Sequence, residues 1–105
     1  MDKADVLILI KKFNNTLKSQ GISAAKIILF GSWAKGTALE DSDIDLVVIS
    51  DDFKGKDYWD RVNIISSAIY KIFAPFEVVA LTTEEWKNGE NSVCEYAKEG
   101  EVIFV

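Results

Sequence analysis

At 105 residues the chain fits one compact domain, residues 1–105, long enough to bury a core without disulfide or metal staples. It has no histidine and a single cysteine, Cys94, which excludes histidine general bases, histidine-bound zinc, Ser–His–Asp triads and any internal disulfide. A net charge of −5, from 17 acidic against 12 basic residues, disfavours broad binding to a nucleic-acid backbone.

Residues 1–5 do not open as a secretory signal, and no apolar run approaches the ~20 residues of a membrane helix. The expectation is a soluble cytoplasmic protein. Residues 2–19 are predicted to be a helix, because Val6, Leu7, Ile10, Phe13 and Leu17 recur at spacings of three and four. Asp2 can cap its start and Gly21 follows its end. Lys26–Phe30 is a short apolar run stopped by Gly31, the pattern of a strand buried on both faces. A helical turn at Ser32–Lys35, ended by Gly36, leads into a loop over 37–42. Ile44–Ile49 reads as a second buried strand and 50–56 as polar loop.

A second long helix is expected over 57–73, with Tyr58, Val62, Ile65, Ile69 and Ile72 as its stripe and Pro75 beyond its end. Phe76–Leu81 reads as a third buried strand. Thr82 with Glu85, and Ser92 with Glu95, are two capping-box patterns that start two short helices. Residues 102–105 add an edge strand. The order is that of an α/β (α+β) domain with a mixed sheet and its three apolar runs at the centre. A helical crossover makes the second and third strands parallel.

Two short patterns carry chemistry. Gly31 and Ser32 stand where a buried strand meets a helical turn, where glycine admits a close ligand and free N–H groups favour phosphate. As an ordinary turn, the same pair needs no ligand. Asp43 and Asp45 flank Ile44 and fall on the same face of a strand. Two such carboxylates repel unless a cation lies between them or one is protonated. Mg²⁺ is held by one or two carboxylates together with substrate phosphates. A calcium loop is excluded, because Leu46 stands where it needs glycine and the run 46–49 is apolar. The phosphate loop G-x-x-x-x-G-K-[ST] is absent.

Read continuously, Leu29-Phe30-Gly31-Ser32-Trp33-Ala34-Lys35-Gly36 leads to Ser42-Asp43-Ile44-Asp45-Leu46-Val47-Val48, with ten residues between Ser32 and Asp43. This resembles the nucleotidyltransferase superfamily that includes DNA polymerase beta. The short chain, Thr82-Thr83-Glu84-Glu85-Trp86 and Lys98-Glu99-Gly100 resemble its minimal nucleotidyltransferase (MNT) branch. The resemblance implies that Gly31 and Ser32 hold a nucleoside triphosphate such as ATP. It implies that Asp43 and Asp45 ligate Mg²⁺, two ions when the nucleotide is bound. A third acid, which is metal ligand and candidate base, falls at Glu77, where the family usually has Asp.

Transfer of a nucleoside monophosphate, AMP from ATP, to a hydroxyl is the implied reaction. The implied partner is a helical HEPN-type protein in a toxin–antitoxin pair, whose tyrosine would be the acceptor, or a second copy of the chain. The alternative is a non-catalytic antitoxin or nucleotide-binding module. Lys35 could touch phosphate, although a solvated lysine is the ordinary reading, and Cys94 is expected in the core. Ile8, Leu9, Trp59, Tyr70 and Trp86 are candidates for an exposed partner-binding patch.

Overall fold

The structure is a computed structural model and describes residues 1–104. The first helix, α1 (Lys3–Ser19), starts at a reciprocal capping box. Asp5 N–H donates to the Asp2 carboxylate at 2.9 Å, and Asp2 N–H to that of Asp5 at 3.1 Å. Val6, Ile10, Phe13 and Leu17 are fully buried, whereas Leu7 lies off the buried stripe and is exposed. The chain continues through β1 (Lys26–Phe30), α2 (Ser32–Lys35), β2 (Ile44–Ile49), α3 (Tyr58–Ile72), β3 (Phe76–Leu81), α4 (Thr83–Asn88), α5 (Val93–Ala97) and β4 (Glu101–Phe104).

Among the described residues the sheet has four strands in the order β3-β2-β1-β4. β1 is antiparallel to β2 and to β4, while β2 and β3 are parallel, as the α3 crossover requires. One sheet face carries the main core. Ile27 and Leu29 of β1 and Ile44, Leu46 and Val48 of β2 pack there against α1 and α3. The rings of Phe13 and Phe76 meet at 5.0 Å. The other face is covered at one end only, where α4 and α5 set Trp86, Cys94 and Ala97 against Ile28, Val47, Ile49 and Leu81.

Several sequence expectations are corrected. β3 is an edge strand, not a central one, and its residues up to Leu81 are only partly covered. An apolar run reports hydrophobicity but not the order in which strands pair. Residues 50–56 are not plain loop: Asp51–Phe53 forms a 3-10 turn capped by Ser50, and Phe53 is fully buried under α3. Tyr58, expected in the α3 stripe, is 69% exposed. The Thr82–Glu85 capping box forms, with bonds of 2.7 and 3.1 Å. Ser92 makes no cap. It is helical itself, and Asn91 Oδ1 takes the Val93 N–H instead at 2.9 Å. The last expected strand is observed over Glu101–Phe104, and residue 105 lies outside the described residues.

Candidate nucleotide and metal site

The candidate residues meet at one end of the sheet because of strand direction. β1 runs toward this end, and the antiparallel β2 and its parallel neighbour β3 both start from it. In register, Phe30 lies opposite Asp45, and Asp45 opposite Glu77. Neighbouring strands are ~4.8 Å apart, so the three side chains form a row on one face. It is the face that α4 and α5 cover only at the far end, so Phe30 and Asp45 stay half-buried and Glu77 exposed. Asp51 and Asp52 lie past the opposite end of β2. There Asp52 Oδ2 accepts the Ser23 N–H at 2.8 Å, a structural role.

Gly31 follows directly on β1 with φ 72° and ψ −153°, a region in which essentially only glycine is at ease. A Cβ at this position would overlap Asp45 Oδ2, so the glycine is required both by its backbone and by the carboxylate beside it. Its carbonyl accepts the Ala34 and Lys35 N–H groups at 3.2 and 3.1 Å. The N–H groups of Ser32 and Trp33 belong to the first turn and have no acceptor within the helix.

Asp45 is the electrostatic centre. Burial, then the charge of Glu77, a hydrogen bond shared with Glu77 and the charge of Asp43, push its carboxyl up to about 6. Asp45 and Glu77 thus form a close carboxyl pair across the β2–β3 register. Asp43 stands apart, exposed just before β2. Among the described residues no three acidic or cysteine side chains are gathered closely enough to hold an ion as they stand. The donor set still fits magnesium: two paired carboxylates supply the hard oxygens that this ion takes together with substrate phosphates and water. Asp43 is exposed on the same rim, and its charge acts on Asp45.

Two residues that position the site were not singled out from the sequence. Trp33 is buried and its indole N–H donates to the Ser42 carbonyl at 3.2 Å. Ser42 Oγ accepts the Leu39 N–H at 2.8 Å. Together they fold the loop after α2 back onto the helix and place Asp43 at the start of β2. The signal available was a tryptophan inside a four-residue helix, since a buried indole seeks an acceptor. Lys35 is exposed and lines a small groove of about 280 Å³ with Lys3 and Trp33. Cys94 is half-buried in the smaller apolar cluster. Ile8, Trp59 and Tyr70 are exposed as the patch required, whereas Leu9 and Trp86 pack partly against the two cores. No helix among the described residues is long and apolar enough to cross a membrane.

A model of the nucleotidyltransferase domain family matches residues 10–99. Over 43 residues the chain is 51% identical to a protein of Methanocaldococcus jannaschii described as "Putative protein adenylyltransferase". That match covers 40% of this chain and 43% of the relative, so the chain spans less than half of the length of the relative it matches. The crystal structure of "a putative nucleotidyltransferase from Sulfolobus solfataricus" is similar with a TM-score of 0.72, over 95% of this chain and 80% of that one, at 22% identity. At that identity the likeness is one of fold.

Proposed function

The chain belongs to the nucleotidyltransferase domain family, and from that membership we propose that it moves a nucleoside monophosphate, AMP from ATP, onto a hydroxyl of a partner protein. The observation that carries this reading is the close Asp45–Glu77 carboxyl pair on the same sheet rim as Gly31 and Ser32. The relative described as a protein adenylyltransferase supports the choice of AMP and of a protein acceptor.

In this reading the Ser32 hydroxyl and the first-turn N–H groups bind and orient the triphosphate, while Gly31 lets it approach the backbone. Asp45 and Glu77, joined by Asp43, would hold Mg²⁺, which when bound neutralises phosphate charge. The acceptor oxygen bonds to the α-phosphorus. The bond from that phosphorus to the bridging oxygen breaks, and pyrophosphate leaves with the electron pair. The hydroxyl proton passes to the Glu77 carboxylate. A second reading is favoured by the separation of Asp43 from the pair and by the extra methylene of Glu77: a non-catalytic antitoxin or nucleotide-binding module that acts by binding a helical HEPN-type partner.

Transfer of labelled ATP to a purified partner, run on wild type, Glu77→Gln and Glu77→Asp, separates the two. Glu77→Gln should keep ATP binding but lose ~10²-fold or more in transfer, the usual scale for a lost general base. Glu77→Asp should retain transfer. Full transfer by Glu77→Gln would place the base elsewhere, and no transfer from any of the three would favour the binding module. Asp43→Asn and Asp45→Asn should each abolish Mg²⁺-dependent ATP binding in calorimetry, and wild-type affinity in both would remove the metal assignment.

A further inference from the structure

The outer edge of β3 carries backbone groups that nothing in the fold satisfies. Ile44 N–H donates to the Pro75 carbonyl at 2.8 Å, and Ser50 N–H to the Leu81 carbonyl at 2.9 Å. In a parallel ladder these two bonds turn the backbone groups of residues 75, 77, 79 and 81 toward β2. Those of Phe76, Val78 and Ala80 therefore face away. Phe76 N–H is taken by the Ala74 carbonyl, and the Ala80 carbonyl by Arg61 Nη1 at 3.2 Å. The Phe76 carbonyl, both Val78 groups and Ala80 N–H are left without a partner among the described residues.

These groups form the floor of a groove of about 620 Å³. One wall is α3, through Val62, Ile65 and Ile69, and the other is the turn after α4, through Glu90 and Asn91. The helix thus extends past the edge strand and presents apolar side chains over a place where the sheet has no strand. A floor of unpaired backbone with a wall on each sheet face has the cross-section of one added strand. Glu77 lines the same groove.

We propose that this edge docks the acceptor: an extended segment of a partner protein adds to the sheet beside β3 and presents a hydroxyl-bearing side chain next to Glu77. The inference rests on the nucleotidyltransferase reading of the Asp45–Glu77 rim. An added strand lies ~4.8 Å from β3, and its residue opposite Glu77 points to the same face, which continues the row that Asp45 and Glu77 begin. The charge of the groove selects the segment. Lys56 and Arg61 stand against Asp57, Glu77, Glu85 and Glu90, and Arg61 is already paired with Glu85 at 2.6 Å. A neutral to basic segment is therefore favoured over an acidic one. A second copy pairing β3 with β3 about a dyad would keep both α3 helices on the same side of the joined sheet. Both would then claim the space over the one groove.

The test presents wild-type protein and Mg·ATP with octapeptides randomised around a central tyrosine, alongside free tyrosine amide. Members of the pool should be labelled at least ~10-fold faster than the amide, the scale of one to two added hydrogen bonds, and should be rich in lysine and arginine. A labelled peptide resynthesised with N-methyl groups on alternate residues should lose binding for one alternation and keep it for the other, since one edge of an added strand faces β3. Hydrogen exchange should show that peptide protecting the Val78 and Ala80 amides. Val78→Pro removes an outward donor without touching the β2 ladder, and should cut peptide labelling ~10-fold while Mg·ATP affinity is unchanged. The methylated peptides need no variant, so they decide the matter even if the proline variant fails to fold.

In protein that binds Mg·ATP, equal labelling of amide and pool, indifference to methylation, or protection confined to other amides overturns the docking edge. In each of those cases Asp45-dependent Mg·ATP binding leaves the nucleotidyltransferase reading standing. Absence of Mg·ATP binding would defeat that reading instead, and peptide protection of Val78 and Ala80 would then judge the edge by itself. Dimerisation that Val78→Pro abolishes would give the edge to a second copy and overturn the proposal.

Discussion

Gly31 and Asp45 occupy one space, and their energetics are coupled. Gly31→Ala should cost about 1–3 kcal/mol for its backbone conformation alone, and more for displacing the Asp45 carboxylate. The double variant Gly31→Ala/Asp45→Ala should recover the second part and not the first. Denaturant unfolding of the three proteins measures the difference, and strictly additive losses would show that the two side chains do not compete. Asp45 also makes stability depend on pH. Its folded pKa, about 6, lies above the ordinary value of 3.8, so the folded state holds the proton more tightly. The contribution of Asp45 to stability without metal should therefore be fully present below pH 4 and should be lost as pH rises through about 6. After solvent screening the loss should be on the order of 1 kcal/mol. Asp45→Asn should flatten this window, and adding Mg²⁺ with ATP should reverse the loss.

At the level of elements, one side chain, Arg61, joins four segments. Its guanidinium donates to the Lys56 carbonyl at 2.9 Å, to the Phe53 and Ala80 carbonyls at 3.2 Å, and to Glu85 at 2.6 Å. This ties the 3-10 turn, α3, β3 and α4 together, and fixes the wall of the groove beside β3. Arg61→Ala should destabilise by about 2–3 kcal/mol, because the Lys56 and Ala80 carbonyls lose their donor and the part-buried Glu85 carboxylate loses its cation, keeping only the Thr82 N–H. A Tm lower by ~10 °C or more is the expected readout for a domain of this size. The bond to Arg61 holds the Glu85 carboxyl below its ordinary 4.5, so this contribution is present above that pH and is lost as pH falls below it. Arg61→Lys should not rescue, since an ammonium cannot reach the same four acceptors. Phe53 offers an independent check on the 3-10 turn: Phe53→Ala should cost ~3–5 kcal/mol as a core truncation.

For the molecule as a whole, the sequence by itself determined the element order, the three apolar strands and the positions of Gly31, Ser32, Asp43 and Asp45. Those features are local. A helix stripe repeats every three to four residues, a glycine ends a strand, and a spacing of ten residues can be counted along the chain. The parallel pairing of β2 and β3 was legible too, because a helical crossover allows little else. What only the tertiary structure decided depends on contacts between distant segments. β3 became the edge of the sheet once β4 took the far side of β1, and an apolar run carries no mark of that order. Phe53 was lost in a polar loop because its burial needs α3 above it, and Trp33 and Ser42 gained their roles only when the loop folded back. The Asp45–Glu77 pairing arises from strand register across 32 positions of sequence, and register is set by packing rather than by either residue.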